Sequence, residues 1–236
     1  VKRPGVIARA AFRWLFILAI SFLVVSIVAV FSLRWIDPLT TSFILRDRAS
    51  AWWDNDKNYH FEHEWVGFAH IAIPMKVAVM ASEDQKFPDH HGFDFDSMQK
   101  AWDQNQRGRK VKGASTITQQ VAKNLFLWSG RSLFRKGIEA WFTLLLETFC
   151  SKQRILEIYL NSAEFGKGVF GVEAASQRFF HKSAARLNSS EAALLAAVLP
   201  APKRFQVNKP SSYLRGRQGW IETQMSQVDT NGLFDP

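Results

Sequence analysis

The pattern of apolar and polar positions divides the 236-residue chain into three parts. From Trp14 to Leu33 there is no alternation: twenty residues carry no charge, and Arg13 and Arg34 bound them. As a helix this run is about 30 Å long, the thickness of the hydrocarbon core of a bilayer. A buried core helix would show a polar stripe, and none interrupts the run. A cleavable signal peptide has an apolar region of only ~7–15 residues leading to a small-x-small site. No such site follows, so the run reads as an uncleaved anchor. Residues 35–64 hold no sustained period and read as a short stalk and an aromatic lead-in. Over residues 65–236 apolar positions recur at helical spacing, and nowhere does a run alternate at period two strongly enough for a sheet. The expected fold is all-α, with residues 1–13 before a transmembrane helix at 14–34 and one folded domain at 65–236.

Within that domain, Pro74 fits the first turn of a helix through MKVAVMASEDQKF, with Val77, Met80 and Ala81 on one face. Glu83 and Asp84 fall at its far end, where acids oppose the helix macrodipole. Two acids leaving a helix into PDHHG call for a reason beyond stability. Asp94 or Asp96 can cap the next helix, which carries Met98 and Trp102. Gly108 and Gly113 then bracket a flexible basic loop. Ser115 reads as the N-cap of TITQQVAKNLFLW, with Gln119 and Gln120 in its first turns. From Ile138 to Phe149 only Glu139 and Glu147 are charged, so that helix reads as buried nearly all round. Ser151 caps KQRILEIYLN. FGKGVFG, Phe165 to Gly171, is too glycine-rich for a helix, and with no strand pattern before it there is no nucleotide loop. VEAASQRFF, SSEAALLAAVLPAP (capped at Ser189 or Ser190) and SYLRGRQGWIETQMSQV complete the helices.

Composition changes this picture at a few points. Nine Trp and twenty Phe exceed what such a core needs and suggest an interface with lipid or sugar. The single Cys150 rules out an internal disulfide and reads as a buried, inert thiol. Lys2, Arg3, Arg9 and Arg13 precede the anchor with no acid among them, whereas Arg34 and Asp37 offset each other after it. The positive-inside rule therefore puts the N-terminus in the cytoplasm and everything after Leu33 outside, which excludes nucleic acid as a ligand.

The remaining charge is concentrated. The formal net charge is +9, and between Asp103 and Glu139 there is no acid but there are eight cations: Arg107, Arg109, Lys110, Lys112, Lys123, Arg131, Arg135 and Lys136. Arg107 to Lys112 reads equally well as a solvated loop. From Gly113 onward, hydroxyls, amides and a helix N-terminus suit a phosphate or sugar oxygen, with Lys123 one turn beyond Gln119 and Gln120. Glu139, in or beside the core, needs a partner or a function. An ion pair with its own Arg135, four residues back, is the structural alternative. His60 and His63 lack a third and fourth metal ligand at helical spacing. With Trp52, Trp53, Phe61 and Trp65 they read instead as an aromatic lead-in packed on the domain or resting on a membrane surface.

EDQKFPDHHG (Glu83 to Gly92), GASTITQQ (Gly113 to Gln120), RKGIE (Arg135 to Glu139) and KQRILEIYLN (Lys152 to Asn161) together resemble the ordered motifs of the peptidoglycan glycosyltransferases. FGKGVFGVEAAS and EAALLAAVLPAP extend the likeness, which covers about residues 65–210. Four long motifs in order are far more specific than one short pattern. Ala114 departs from a glycine often found in the second motif, a small-for-small change. With no long extension after Pro236, the chain is most similar to the monofunctional transglycosylases of Gram-negative type, without a transpeptidase domain.

The resemblance implies a lysozyme-like helical fold in a single-pass protein of the bacterial inner membrane, with a periplasmic catalytic domain. Its substrates would be lipid II as acceptor and a glycan chain on undecaprenyl diphosphate as donor, joined with inversion. Glu83 would be the general base and Glu139 the second essential carboxylate, near the donor diphosphate. Asp84 would hold or tune Glu83. Lys123 and Arg131, then Arg135 and Lys136, would contact the diphosphate. Ser115, Thr116, Gln119 and Gln120 would bond sugar and phosphate oxygens, while Phe87 and His90 shape the loop. NLFLW and SLF would either dip into the outer leaflet or pack in the core. No protein metal site is expected, and the only cofactor left open is a divalent cation, Mg or Mn, at the diphosphate. Division or wall-synthesis proteins are the expected protein partners. A lytic, lysozyme-like cleaver would share the fold but gives no reason for eight cations, and a silent scaffold has no use for Glu83 and Glu139.

Overall fold

The computed structural model describes residues 4–106, 115–130 and 132–234. All of the apolar run except its last residue, Leu33, lies within α1 (Pro4–Ser32), whose stretch Arg9–Ser32 is long and apolar enough to cross a membrane. There follow α2 (Ser42–Trp53), α3 (Ile73–Glu83), α4 (Phe95–Gln106), α5 (Ile117–Phe126), α6 (Leu133–Phe149), α7 (Lys152–Ser162), α8 (Val172–Phe180), α9 (Ser189–Val198) and α10 (Ser212–Met225). α3, α9 and α10 pack on one another, and α5 packs on α6 and α7. The two groups share one core, in which Met75, Val79, Ile117, Val121, Leu146, Ile155, Tyr159 and Leu195 are buried.

Several local expectations are corrected. Residues 35–50 are not simply a stalk, because α2 starts within them, capped by Thr41. The Ser42 hydroxyl donates to the carbonyls of Asn124 and Leu127, tying α2 to the end of α5. A small sheet is present: β1 (Glu62–His63), β2 (Glu164–Gly166) and β3 (Val169–Phe170), in the order β1-β3-β2. Strands of two or three residues are too short to show a period of two. Gly168, at φ +75°, lets β3 approach β1, since a Cβ there would lie 2.1 Å from the His60 carbonyl oxygen. The N-cap of α5 is Thr116, not Ser115, with Gln119 completing a reciprocal capping box. α9 is capped by Asn188 in a second capping box with Glu191, rather than by Ser189 or Ser190. In both helices a Gln or Glu three residues on closes the box, which fixes the choice of cap.

α6 is less enclosed than its sequence suggests. Within its run from Ile138 to Phe149 Leu144 is exposed, and before that run Leu133 and Phe134 are 93% and 73% exposed. Another part of it packs against the lower half of α1. The Phe22 and Phe142 rings meet edge to face at 6.2 Å, as do Phe31 and Phe149 at 5.5 Å. The Trp141 indole N–H donates to the Ser26 hydroxyl at 3.0 Å. Cys150, closing α6, is buried, and burial raises its thiol pKa.

Candidate active site

α3 delivers Glu83 as its last residue, and Asp84 immediately turns away. The Asp84 carboxylate accepts the Ile117 backbone N–H at 2.9 Å and an N–H from His90. A carboxylate unsuited to the C-terminus of α3 is thus satisfied by the N-terminus of α5, where the helix dipole favours it. Thr116 reinforces the junction, its hydroxyl donating to the Gly92 carbonyl at 2.7 Å. Phe87 is fully buried beneath the loop. Lys152 braces the same loop by donating to the His90 carbonyl and pairing with Glu147, which also accepts the Thr118 hydroxyl. The first, second and fourth sequence motifs therefore interlock.

Glu83 itself stays available to a cavity of about 770 Å³ lined also by Ser82, Ser115, Gln120, Tyr213, Arg217 and Trp220. The Gln120 amide donates to its carboxylate at 3.0 Å, and the Arg217 guanidinium stands 3.6 Å away. Burial raises the Glu83 pKa, opposed by the Gln120 hydrogen bond and by Arg217 and Lys123. A second cavity, of about 390 Å³, holds Lys123, Arg135, Lys136 and Glu139, with Phe43 and Trp128 at its walls. Ser115 and Gln120 line both cavities. Glu139 is buried, accepts from Arg135 at 2.9 Å and is paired with Lys136. The ion pair with Arg135 is present, and the paired Glu139 also lines the second cavity. Burial lowers the Lys123 pKa, followed by Arg135 and Lys136, while Glu139 and Glu83 oppose the shift.

The expected site residues are thus sorted by the fold. Glu83, Ser115, Gln120, Lys123, Arg135, Lys136 and Glu139 face the paired cavities. Asp84 and Thr116 are buried braces, and Gln119, although at the wall of the second cavity, spends its side-chain oxygen on the Thr116 N–H. Arg131 and the 107–112 loop lie outside the described residues. NLFLW and SLF divide: Leu125 and Leu127 are core, while Trp128, Leu133 and Phe134 are exposed. His63 bonds the Asn161 carbonyl oxygen through its ring nitrogen. A divalent cation near Glu139 would find that carboxylate already engaged by two cationic side chains.

Sequence reasoning missed Tyr213, Arg217 and Trp220, on α10, which lies outside the motifs. A signal was available in the helix-interior glycines Gly216 and Gly219, since each costs roughly 1 kcal/mol relative to Ala. A Cβ added at either would meet open space, and Gly216 lines the Glu83 cavity.

Comparison with known proteins identifies the family. The Transglycosylase family profile matches residues 53–226. The chain is 46% identical over 232 residues to the biosynthetic peptidoglycan transglycosylase of Xanthomonas campestris pv. campestris, covering 98% of this chain and 94% of that protein. It is 52% identical over 207 residues to the protein of the same name from Pseudomonas putida, covering 88% and 87%. With the four motifs folded together around two adjoining cavities and relatives matched over nearly their whole length, the chain belongs to the transglycosylase family and is a glycosyltransferase enzyme.

Proposed function

We propose that this enzyme polymerises lipid II into glycan strands, with the growing chain on undecaprenyl diphosphate as donor and lipid II as acceptor. The observation that carries the reading is the pair of cavities meeting at Ser115 and Gln120, one holding Glu83 and the other Glu139 with three cations. Glu83 is the general base, taking the proton of the acceptor hydroxyl as that oxygen attacks the donor anomeric carbon. Its raised pKa makes it a better base than an ordinary glutamate. The acid limb of the rate profile should accordingly lie above the usual glutamate range, around 4.3. In the second cavity Lys123, Arg135 and Lys136 balance the charge on the departing diphosphate, so no acid need protonate it. Glu139 orients Arg135 and Lys136 and keeps their charges from repelling each other. Attack from the side opposite the leaving group inverts the α-linked donor to a β-linkage.

Membrane attachment fits a substrate with a polyprenyl tail. The basic N-terminus places residues 1–13 in the cytoplasm and the catalytic domain in the periplasm. Exposed Trp128, Leu133 and Phe134, beside the second cavity, would enter the outer leaflet and keep the lipid tail solvated while its head reaches Lys123. The direct test is incubation of the purified chain with labelled lipid II and sizing of the products. Long strands from wild type and none from Glu83→Gln are expected. Near-normal synthesis by the variant would remove Glu83 from the mechanism, and fragments released from mature wall would favour a lytic enzyme.

A further inference from the structure

α2 begins at the catalytic cavities and ends somewhere else. Phe43, near its start, lines the Lys123 and Glu139 cavity. Nine residues on, roughly 14 Å along the axis, the helix ends in Trp52 and Trp53, which are 80% and 82% exposed. Their rings lie 6.5 Å apart, edge to face. Trp52 forms a wall of an open cleft of about 390 Å³ together with Arg48, Asn55, Asp56, Tyr59 and Phe61. The cleft alternates aromatic faces with planar hydrogen-bonding groups. Three of its polar members are held in place. The Arg48 guanidinium lies 4.9 Å over the Phe61 ring, and the Tyr59 hydroxyl donates to Asp47 at 2.7 Å. Asp56 pairs with Lys167 and accepts the Asn58 N–H.

That combination matches a pyranose, which offers C–H faces to aromatic rings and hydroxyls to a carboxylate, an amide or a guanidinium. Indoles at a bilayer interface need only an apolar body and one polar tip. They have no use for a concave floor of hydrogen-bonding groups. Continuity with the catalytic site adds to this. Asp47, which holds Tyr59, also pairs with Lys203. Lys203 stands 3.9 Å from Glu164, and Glu164 lines a small cavity shared with Phe43 and Lys123.

We propose that the cleft at the end of α2 is a second saccharide-binding site, which takes the sugar backbone of the glycan strand whose diphosphate end occupies the Lys123 cavity. The inference rests on the donor reading given above. Two linked contacts turn re-binding of a strand into an intramolecular event at high effective concentration, so the site would retain the strand between successive couplings.

The test uses the full chain in lipid nanodiscs, with a β-1,4-linked N-acetylglucosamine hexamer as probe. A saturable change in tryptophan fluorescence is expected in wild type and in Glu83→Gln. Affinity should fall roughly tenfold or more in Trp52→Ala, at an exposed position where folding is not at stake, and in Asp56→Ala, whose thermal melt is compared with that of wild type. With lipid II, Trp52→Ala should make shorter strands at an unchanged rate of first coupling. Equal hexamer affinity and equal strand length in Trp52→Ala would overturn the proposal. Quenching by brominated phosphatidylcholine that disappears in Trp52→Phe would also overturn it, by assigning that indole to lipid. Should wild type make no polymer from lipid II, the polymerase reading fails, while the hexamer titration still decides whether the cleft binds sugar.

Discussion

Glu83 is a carboxylate in a place that disfavours its charge, and its stability sign follows from that. Burial raises its pKa in the folded state, so the folded chain holds this proton more tightly than the unfolded chain does. Its stabilising contribution is complete below the unfolded pKa and is lost as pH rises through the folded pKa. At neutral pH the ionised side chain therefore costs stability, and the inactive Glu83→Gln should melt at or above the wild-type temperature. That advantage should shrink as pH falls towards about 4.3, which thermal melts across a pH series would check. Asn161, in the fourth motif, has the opposite character. Fully buried, it accepts the Val66 N–H and donates to the Val66 and Glu157 carbonyls, each at 2.9 Å. Asn161→Leu keeps the volume but leaves the Val66 groups unpaired, and should cost about 2–4 kcal/mol, read by denaturant unfolding. The asparagine looked like part of a functional motif, and the structure makes it a clamp between α7 and the lead-in.

At the scale of elements, α1 has more than one role. The sequence reads it as a free-standing anchor because nothing in an all-apolar run marks a packing face. The structure buries Val30 and Leu33 and sets Phe22, Ser26 and Phe31 against α6. Arg154 of α7 also donates to the Leu33 and Ile36 carbonyls. Deleting residues 1–34 should therefore leave a chain that folds but melts several degrees lower in the same detergent, because apolar surface on α6 returns to water at about 25 cal/mol per Å². An unchanged melting temperature would show that the contact contributes nothing. The opposite lesson comes from α5, whose N-terminus looked open for a ligand anion. Part of it is already taken by Asp84, a carboxylate from the chain itself.

For the whole molecule, Lys123 links the second cavity to a smaller one beside it. It lines the Glu139 cavity and the smaller one at Glu164, and its ammonium lies 5.5 Å from the Phe43 ring of α2. Glu83 and Glu139 both act on its charge. A buried ammonium does little for stability, so Lys123→Ala should keep its melting temperature while losing on the order of 10²–10³-fold in turnover, measured as strand synthesis from lipid II. A lowered melting temperature with normal turnover would make it a structural residue. The apolar pattern by itself made the fold legible only to the level of helices, and the resemblance of the motifs carried it on to a lysozyme-like domain. The exposed glycine face of α10 and the short strands β1 to β3 carried no periodic signal strong enough to read.

By itself the sequence determined which residues could be chemical. The acids at the end of α3, the acid-free cationic stretch and the apolar run are local facts, fixed by side-chain type and by spacings of a few residues. Tertiary structure decided which of those groups remain free to act. Asp84, Thr116 and Gln119 are spent on joining helix ends, whereas Glu83 and Gln120 line a cavity beside Arg217, 97 residues after Gln120 in the chain, and Lys123 lines the second cavity. Hydrogen-bonding capacity is finite, and how a side chain spends it depends on neighbours distant in sequence, which only packing brings together.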